Sequence, residues 1–287
     1  MSDHKDEVET TGHVWDEDLK EFNNPLPRWW IWTFYATIIW GIGYTIAYPA
    51  WPLINGATRG VLGYSTRTEV AAEIDRFEAM NADVKAELAA IPIEDIPNNE
   101  AIYNYAIQSG RATFASYCSQ CHGSGANGIE EGNGYPNLLD DDWLWGGDLA
   151  SIAYTVTHGI RNEDDPDARY SQMPAFGEDY LSDDEITNVV AYVMSLSGLQ
   201  GSGNVAEGET VFMDNCTACH GENAQGDIDQ GAPNLADAIW LHGSSEDAIE
   251  SSVRRGPFGV MPNWNARLDE AEIKAVAAYV HQLGGGQ

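Results

Sequence analysis

Apolar positions fall into three distinct patterns along this 287-residue chain. The first is a block. Residues 29–49 read WWIWTFYATIIWGIGYTIAYP and lie inside an uncharged stretch that runs from after Arg28 to before Arg59. As a helix, 21 residues span about 30 Å, the thickness of a bilayer core. Trp29, Trp30 and Trp32 sit at one end, with Tyr44, Tyr48 and Trp51 near the other, the placement of interfacial aromatic girdles. The block predicts a membrane-spanning helix over 29–49. A cleaved leader fits less well, because 28 residues precede the block and eight of them are acidic.

The second pattern is a stripe. Val70, Ile74, Phe77, Val84 and Leu88 recur at roughly helical spacing among charged residues. They predict an amphipathic helix over about 68–91, packed on a partner or on the domain that follows. Pro92 and Pro97 bracket the linker behind it. The third pattern occurs twice. Ile186, Val189, Val190 and Val193 have helical spacing behind a Ser182/Glu185 capping pair. Ile273, Val276 and Val280 follow Asp269/Glu272 in the same way.

These two helices close an internal duplication. Gly110, Phe114 and Cys118 match Gly208, Phe212 and Cys216; Pro136-Asn137-Leu138 matches Pro233-Asn234-Leu235; Trp143 matches Trp240; Met173-Pro174 matches Met261-Pro262; Ala191-Tyr192-Val193 matches Ala278-Tyr279-Val280. The offset is 98 at the cysteines, 97 at Pro-Asn-Leu and 88 at the methionines, so the first repeat carries an insertion, placed within residues 162–170. In each repeat a Gly four residues before a Phe leaves room for another helix, and Tyr192 and Tyr279 are the candidates to meet it.

Both repeats contain C-x-x-C-H: Cys118-Ser119-Gln120-Cys121-His122 and Cys216-Thr217-Ala218-Cys219-His220. This is the spacing of covalent c-type haem attachment, with the adjacent histidine as an iron ligand. A single C-x-x-C could be a redox dithiol or half a zinc site. Two copies, each followed by His and together using all four cysteines of the chain, point to two covalently bound haem c groups. Met173 and Met261 are the candidate sixth ligands, each held on a defined loop by the Pro that follows. Ligation within one repeat is the default pairing, and exchange between repeats is the alternative; the sequence does not choose. Among the other histidines, His4 and His13 lie in the acidic N-terminal segment, His158 is a candidate partner for a haem propionate or a carbonyl, and His242 and His281 follow later. Arg161, Arg254 and Arg255 lie near the ligand loops and could pair with a propionate.

Composition narrows the partners. The chain has 45 acidic and 14 basic residues, a net charge of −31, and no lysine between Lys85 and Lys274. Nucleic acid would be repelled. A partner with a basic face would be attracted.

Each repeat resembles the class I cytochrome c domain. The whole order of elements resembles the di-haem subunit III (CcoP/FixP) of cbb3-type cytochrome c oxidases, including Pro25-Leu26-Pro27-Arg28-Trp29-Trp30 and the Trp/Tyr-rich run after it. The expected fold is all-α: a cytoplasmic segment 1–28, an anchor 29–49, a periplasmic linker 50–100, and cytochrome c domains at 101–198 and 202–287. The resemblance implies an inner-membrane protein with its haem domains in the periplasm. It would pass electrons from a soluble or tethered donor cytochrome c to a mono-haem cytochrome subunit and a haem–copper subunit. The chain would have no catalytic site of its own. The alternatives are a free-standing anchored di-haem carrier and a di-haem peroxidase, the latter disfavoured because each repeat supplies a Met-Pro.

Overall fold

The computed structural model of the chain describes residues 9–128, 134–178 and 180–286, so His4 lies outside it. The described residues divide into two compact units, one ending at Met80 and one beginning at Asn81. In the first unit β1 (Thr10–Trp15) pairs antiparallel with β2 (Leu19–Phe22). Asp16 and Glu17 turn the chain at φ 46° and 71°, the left-handed geometry that tight hairpins favour. This hairpin departs from the all-α expectation. Its side chains are almost all exposed, so no in–out alternation announced it. A second small ladder joins β3 (Pro52–Leu53) to β4 (Gly56–Ala57).

Helix α1 (Arg28–Ala47) is 20 residues long, lies on the apolar block from Trp29 onward, and buries none of its side chains. Among the described residues no helix is long and apolar enough to cross a membrane; in α1, Trp, Tyr, Thr and Gly dilute the aliphatic side chains. Helix α2 (Thr66–Ala90) forms where the stripe predicts, but Val70, Ile74 and Phe77 are exposed and only Leu88 is buried.

The second unit contains α3 (Glu100–Thr113), a π-turn at Phe114–Cys118 leading into the short α4 (Ser119–His122), then α5 (Leu149–His158) and α6 (Asp183–Leu196). The second repeat continues with α7 (Val205–Asn215), the short α8 (Thr217–His220), α9 (Glu246–Arg255) and α10 (Glu270–His281). Both predicted capping boxes are made, at Ser182/Glu185 and Asp269/Glu272.

These helices do not pack in chain order. The closing helix of each repeat crosses to the other repeat. Helix α10 lies on α3 and α5, and α6 lies on α7 and α9. One core therefore joins Leu88, Ile102 and Phe114 to Ile152, Ile273 and Val276. The other joins Phe176, Ile186 and Val190 to Phe212, Ile249 and Val253. The second core is built from one continuous stretch, closing helix first, while the first is split around it. The repeats expected at 101–198 and 202–287 persist as sequence units, but the packed cores are drawn across them.

The repeat glycines explain how closely the helices meet. A Cβ on Gly110 would strike the Ala275 carbonyl and the Tyr279 side chain, and one on Gly208 would strike Asn188 and Tyr192. The aromatic pairs repeat the exchange: Phe114 packs on Tyr279 at 5.6 Å and Tyr192 on Phe212 at 5.3 Å. The Lys274 ammonium donates to the carbonyls of Ala89 (2.6 Å) and Ile91 (2.9 Å), tying α10 to the end of α2. Gly110→Val should destabilise the protein by roughly 1–3 kcal/mol, the usual cost of overpacking where backbone cannot retreat. Thermal unfolding followed at the haem absorbance checks this; an unchanged midpoint would contradict the contact.

Candidate functional site

Each haem motif sits where a helix turns into a short second helix, and at the first motif both cysteines and the histidine line one cavity. Burial, with a minor contribution from the partner thiol, pushes the Cys118 and Cys216 thiols up to about 11. Such positions disfavour a thiolate and suit an uncharged thioether sulfur. His122 and His220 are likewise held toward the neutral form, chiefly by burial. His122 Nδ1 lies 3.2 Å from the Pro136 carbonyl and His220 Nδ1 3.1 Å from that of Pro233. A carbonyl only accepts, so Nδ1 carries the proton and Nε2 keeps its lone pair for a metal. The matched Pro-Asn-Leu segments thus supply the orienting carbonyl in both copies.

Around the first motif lies a cavity of about 1130 Å³ lined by Cys118, Cys121, His122, Trp143, Val156 and Met261. Met261, from the second repeat, lines the cavity beside His122, whereas Met173 packs on the second core, as do Cys216, Leu235 and Trp240. The backbone shows why. Helices α5 and α9 end at left-handed Gly159 and Gly256, as helix C-termini often do. A Cβ on Gly159 would strike the Met261 carbonyl, and one on Gly256 the Met173 carbonyl. Only glycine admits the other repeat's Met-Pro segment at these two points.

The haem-binding loops also cross-contact. Trp145 packs against Gly231 and His242 against Gly134. Trp145 and His242 are 97 residues apart, as are Gly134 and Gly231, so the two contacts are related by the repeat. Trp145 is 8% exposed and its indole Nε1 is buried without a partner. It lines the first cavity, so an acidic ligand group there would satisfy it, as a haem carboxylate would. The thioether-suited sulfurs, the singly available imidazole nitrogens, the cavity and this orphan donor together fit a c-type haem. The sequence pattern left Trp145 unnoticed; its offset from His242 was the available signal.

The remaining candidates separate. Arg161 lines the cavity and donates to the carbonyls of Gly259 (2.7 Å) and Ser171 (3.0 Å). Arg255 lines it as well, bonded to Ser251. Arg254 is committed to Asp183 and Glu250. His158 meets Asp165 at 3.0 Å, His242 lines the cavity, and His13 is exposed beside Trp15.

Asp142, also on the cavity wall, is pushed up to about 6 by burial first and by Asp237, Asp140 and Asp141 after it. Its folded form thus holds a proton that the unfolded chain releases near pH 4. The resulting penalty is absent below that value, grows as pH rises toward 6, and is complete above it. Asp142→Asn should raise the melting temperature of the holoprotein at pH 7.5 and leave it unchanged at pH 4. An equal shift at both values would remove titration as the cause.

Two haem-attachment motifs, each with its histidine oriented by a proline carbonyl, define a di-haem c-type cytochrome. The comparisons with known proteins give the family. The model described as cytochrome c oxidase, cbb3-type, subunit III matches residues 106–193 and 203–280, and that of the N-terminal domain of cytochrome oxidase-cbb3, FixP, matches 7–55. The chain is 56% identical over 283 residues to the cbb3-type cytochrome c oxidase subunit CcoP of Cereibacter sphaeroides, covering 98% of this chain and 96% of that one. It is 48% identical to FixP of Sinorhizobium medicae (99% and 98% covered) and 47% identical to CcoP of Rhodobacter capsulatus (99% and 98%). The chain belongs to the CcoP/FixP family and carries two covalently bound haem c groups.

Proposed function

We propose that this chain relays electrons within a membrane-bound cbb3-type oxidase through two haems of defined ligation. Cys118 and Cys121 attach one haem, whose axial ligands are His122 and Met261. Cys216 and Cys219 attach the other, with His220 and Met173. The observation that carries this pairing is the crossing of the closing segments, which brings Met261 to the cavity lined by His122 and Met173 to the core on which Cys216 packs.

Bound haem supplies reversible one-electron chemistry. The chain's own residues set its terms. The Pro136 and Pro233 carbonyls fix the tautomer and orientation of each imidazole. Met261 and Met173 would each offer a thioether sulfur to the iron, which would compete with oxygen or peroxide for that position and keep the potentials high. The acidic surface, −31 overall, favours docking of a basic donor cytochrome c and makes that docking salt-sensitive.

The names of the relatives support assembly with other oxidase subunits; we place a mono-haem cytochrome and the haem–copper subunit downstream. Helix α1 is read as a single membrane anchor with the N-terminus cytoplasmic and both haem units periplasmic. Support comes from its 20-residue length, its lack of charge after Arg28, and the exposure of Trp29, Trp32, Ile39 and Trp40 at 70–72%. Purification through a tag on this chain in mild detergent, followed by a redox spectrum, tests the assignment. Co-purifying b-type haem and copper, with oxygen uptake driven by reduced cytochrome c, is the expected result. A di-haem c spectrum alone, with no crosslinks to oxidase subunits in membranes, would favour the free-standing carrier.

A further inference from the structure

We propose that Asp165 is the positioning residue for Met261, locking the exchanged methionine loop over the haem on His122. This rests on the reading that Met261 is that haem's ligand. Asp165 lies within residues 162–170, the insertion that only the first repeat carries, and is 8% exposed. Its carboxylate accepts hydrogen bonds from the Asp167 amide (2.9 Å), His158 Nδ1 (3.0 Å) and Asn265 Nδ2 (2.7 Å). Asn265 stands four residues after Met261. Within the same insertion, Asn162 holds the Asp165 amide with its Oδ1 (3.2 Å) and reaches the carbonyls of His158 (2.8 Å) and Met261 (3.4 Å) with its Nδ2. The insertion therefore grips the Met261 loop at both ends.

The second site provides an internal control. Two backbone bonds are common to both: Trp264 N to Val156 O and Asn265 N to Thr157 O at the first, Phe176 N to Val253 O and Gly177 N to Arg254 O at the second. Beyond these the sites diverge. Ile160 and Met261 exchange two backbone bonds, at 2.9 and 3.0 Å; the matching residue at the second site is Pro257, which has no N–H. Asn265 is matched by Gly177, which has no side chain. Among the described residues, the Met173 region has, in place of a buried carboxylate, the Arg254–Asp183 pair at 2.7 Å, whose Asp183 side chain is 87% exposed. Exposed pairs contribute little, whereas a buried carboxylate with three donors contributes much more. Among the described residues, the Met261 loop is thus the better secured of the two.

The test uses the full-length holoprotein in the Met173→Ala background, where one thioether-ligated haem remains. Imidazole is the probe, since it binds ferric haem only after the methionine has swung away. Asp165→Asn and the exposed-site variant Asn265→Ala should each speed imidazole capture by about tenfold, the factor expected for losing one hydrogen bond to a charged group. Both should weaken the near-infrared sulfur-to-iron charge-transfer band. In the Met261→Ala background, where the Met173 loop remains, neither variant should change either reading. Unchanged capture and band for Asn265→Ala, with both haems attached, would overturn the lock. So would an equal effect at the two sites. Failure of the ligation reading looks different: Met173→Ala would then abolish the thioether band of the His122 haem itself.

Discussion

Met261→Ala lowers the reduction potential of the haem on Cys118 and Cys121, although the substitution lies 140 residues beyond that motif in the chain. Axial ligands move haem potentials across about 0.8 V, and loss of a thioether moves them downward. We expect a fall on the order of 100 mV or more at the first haem and little at the second. Met173→Ala reverses the pattern. Removing one attachment site at a time, by Cys216→Ser with Cys219→Ser or by Cys118→Ser with Cys121→Ser, assigns each titration. If Met261→Ala instead acts on the haem of its own repeat, the exchanged ligation is wrong.

Ending the chain at Gly256 should disable the first haem site and spare the second. The deletion removes Met261 and all of α10. Leu268, Ile273, Val276 and Val280, each 7% exposed or less, leave the first core. At about 1.5–3 kcal/mol each, their loss amounts to roughly 6–12 kcal/mol, comparable with the whole stability of a domain. The second core keeps every part: Met173, α6, α7, His220 and α9 all precede the cut. The truncated protein should retain one thioether band and one high potential, both abolished by adding Met173→Ala. Repeats folded in chain order would give the reverse, with the second haem lost.

Much of this architecture was legible as local pattern. The haem motifs, the two capping boxes, the spaced Gly–Phe pairs and the Met-Pro segments are each short-range statements, and each lies where the spacing puts it. Even the insertion at 162–170 followed from the change in offset. The pairing of halves was not legible for a physical reason. Gly110 with Tyr279 and Gly208 with Tyr192 make the same contact as Gly110 with Tyr192 would have made. Duplication leaves the interfaces nearly interchangeable, and local pattern carries no preference between partners. Distant features decide instead: Asn265 reaches Asp165, and Lys274 reaches the Ala89 and Ile91 carbonyls. The amphipathic stripe was legible as a helix, but its exposed Val70, Ile74 and Phe77 show that periodicity reports a face without naming what covers it. The hairpin at Thr10–Phe22 escaped because it has no buried face to impose alternation.

The split first core also fixes an order of maturation. Synthesis delivers Cys118 and Cys121 long before α10, so the first pentapeptide waits in an unfinished pocket while the second unit emerges complete. Helix α10, which follows every part of the second core in the chain, then seals the first site, so the first electron-transfer centre is finished only after the second core has been made.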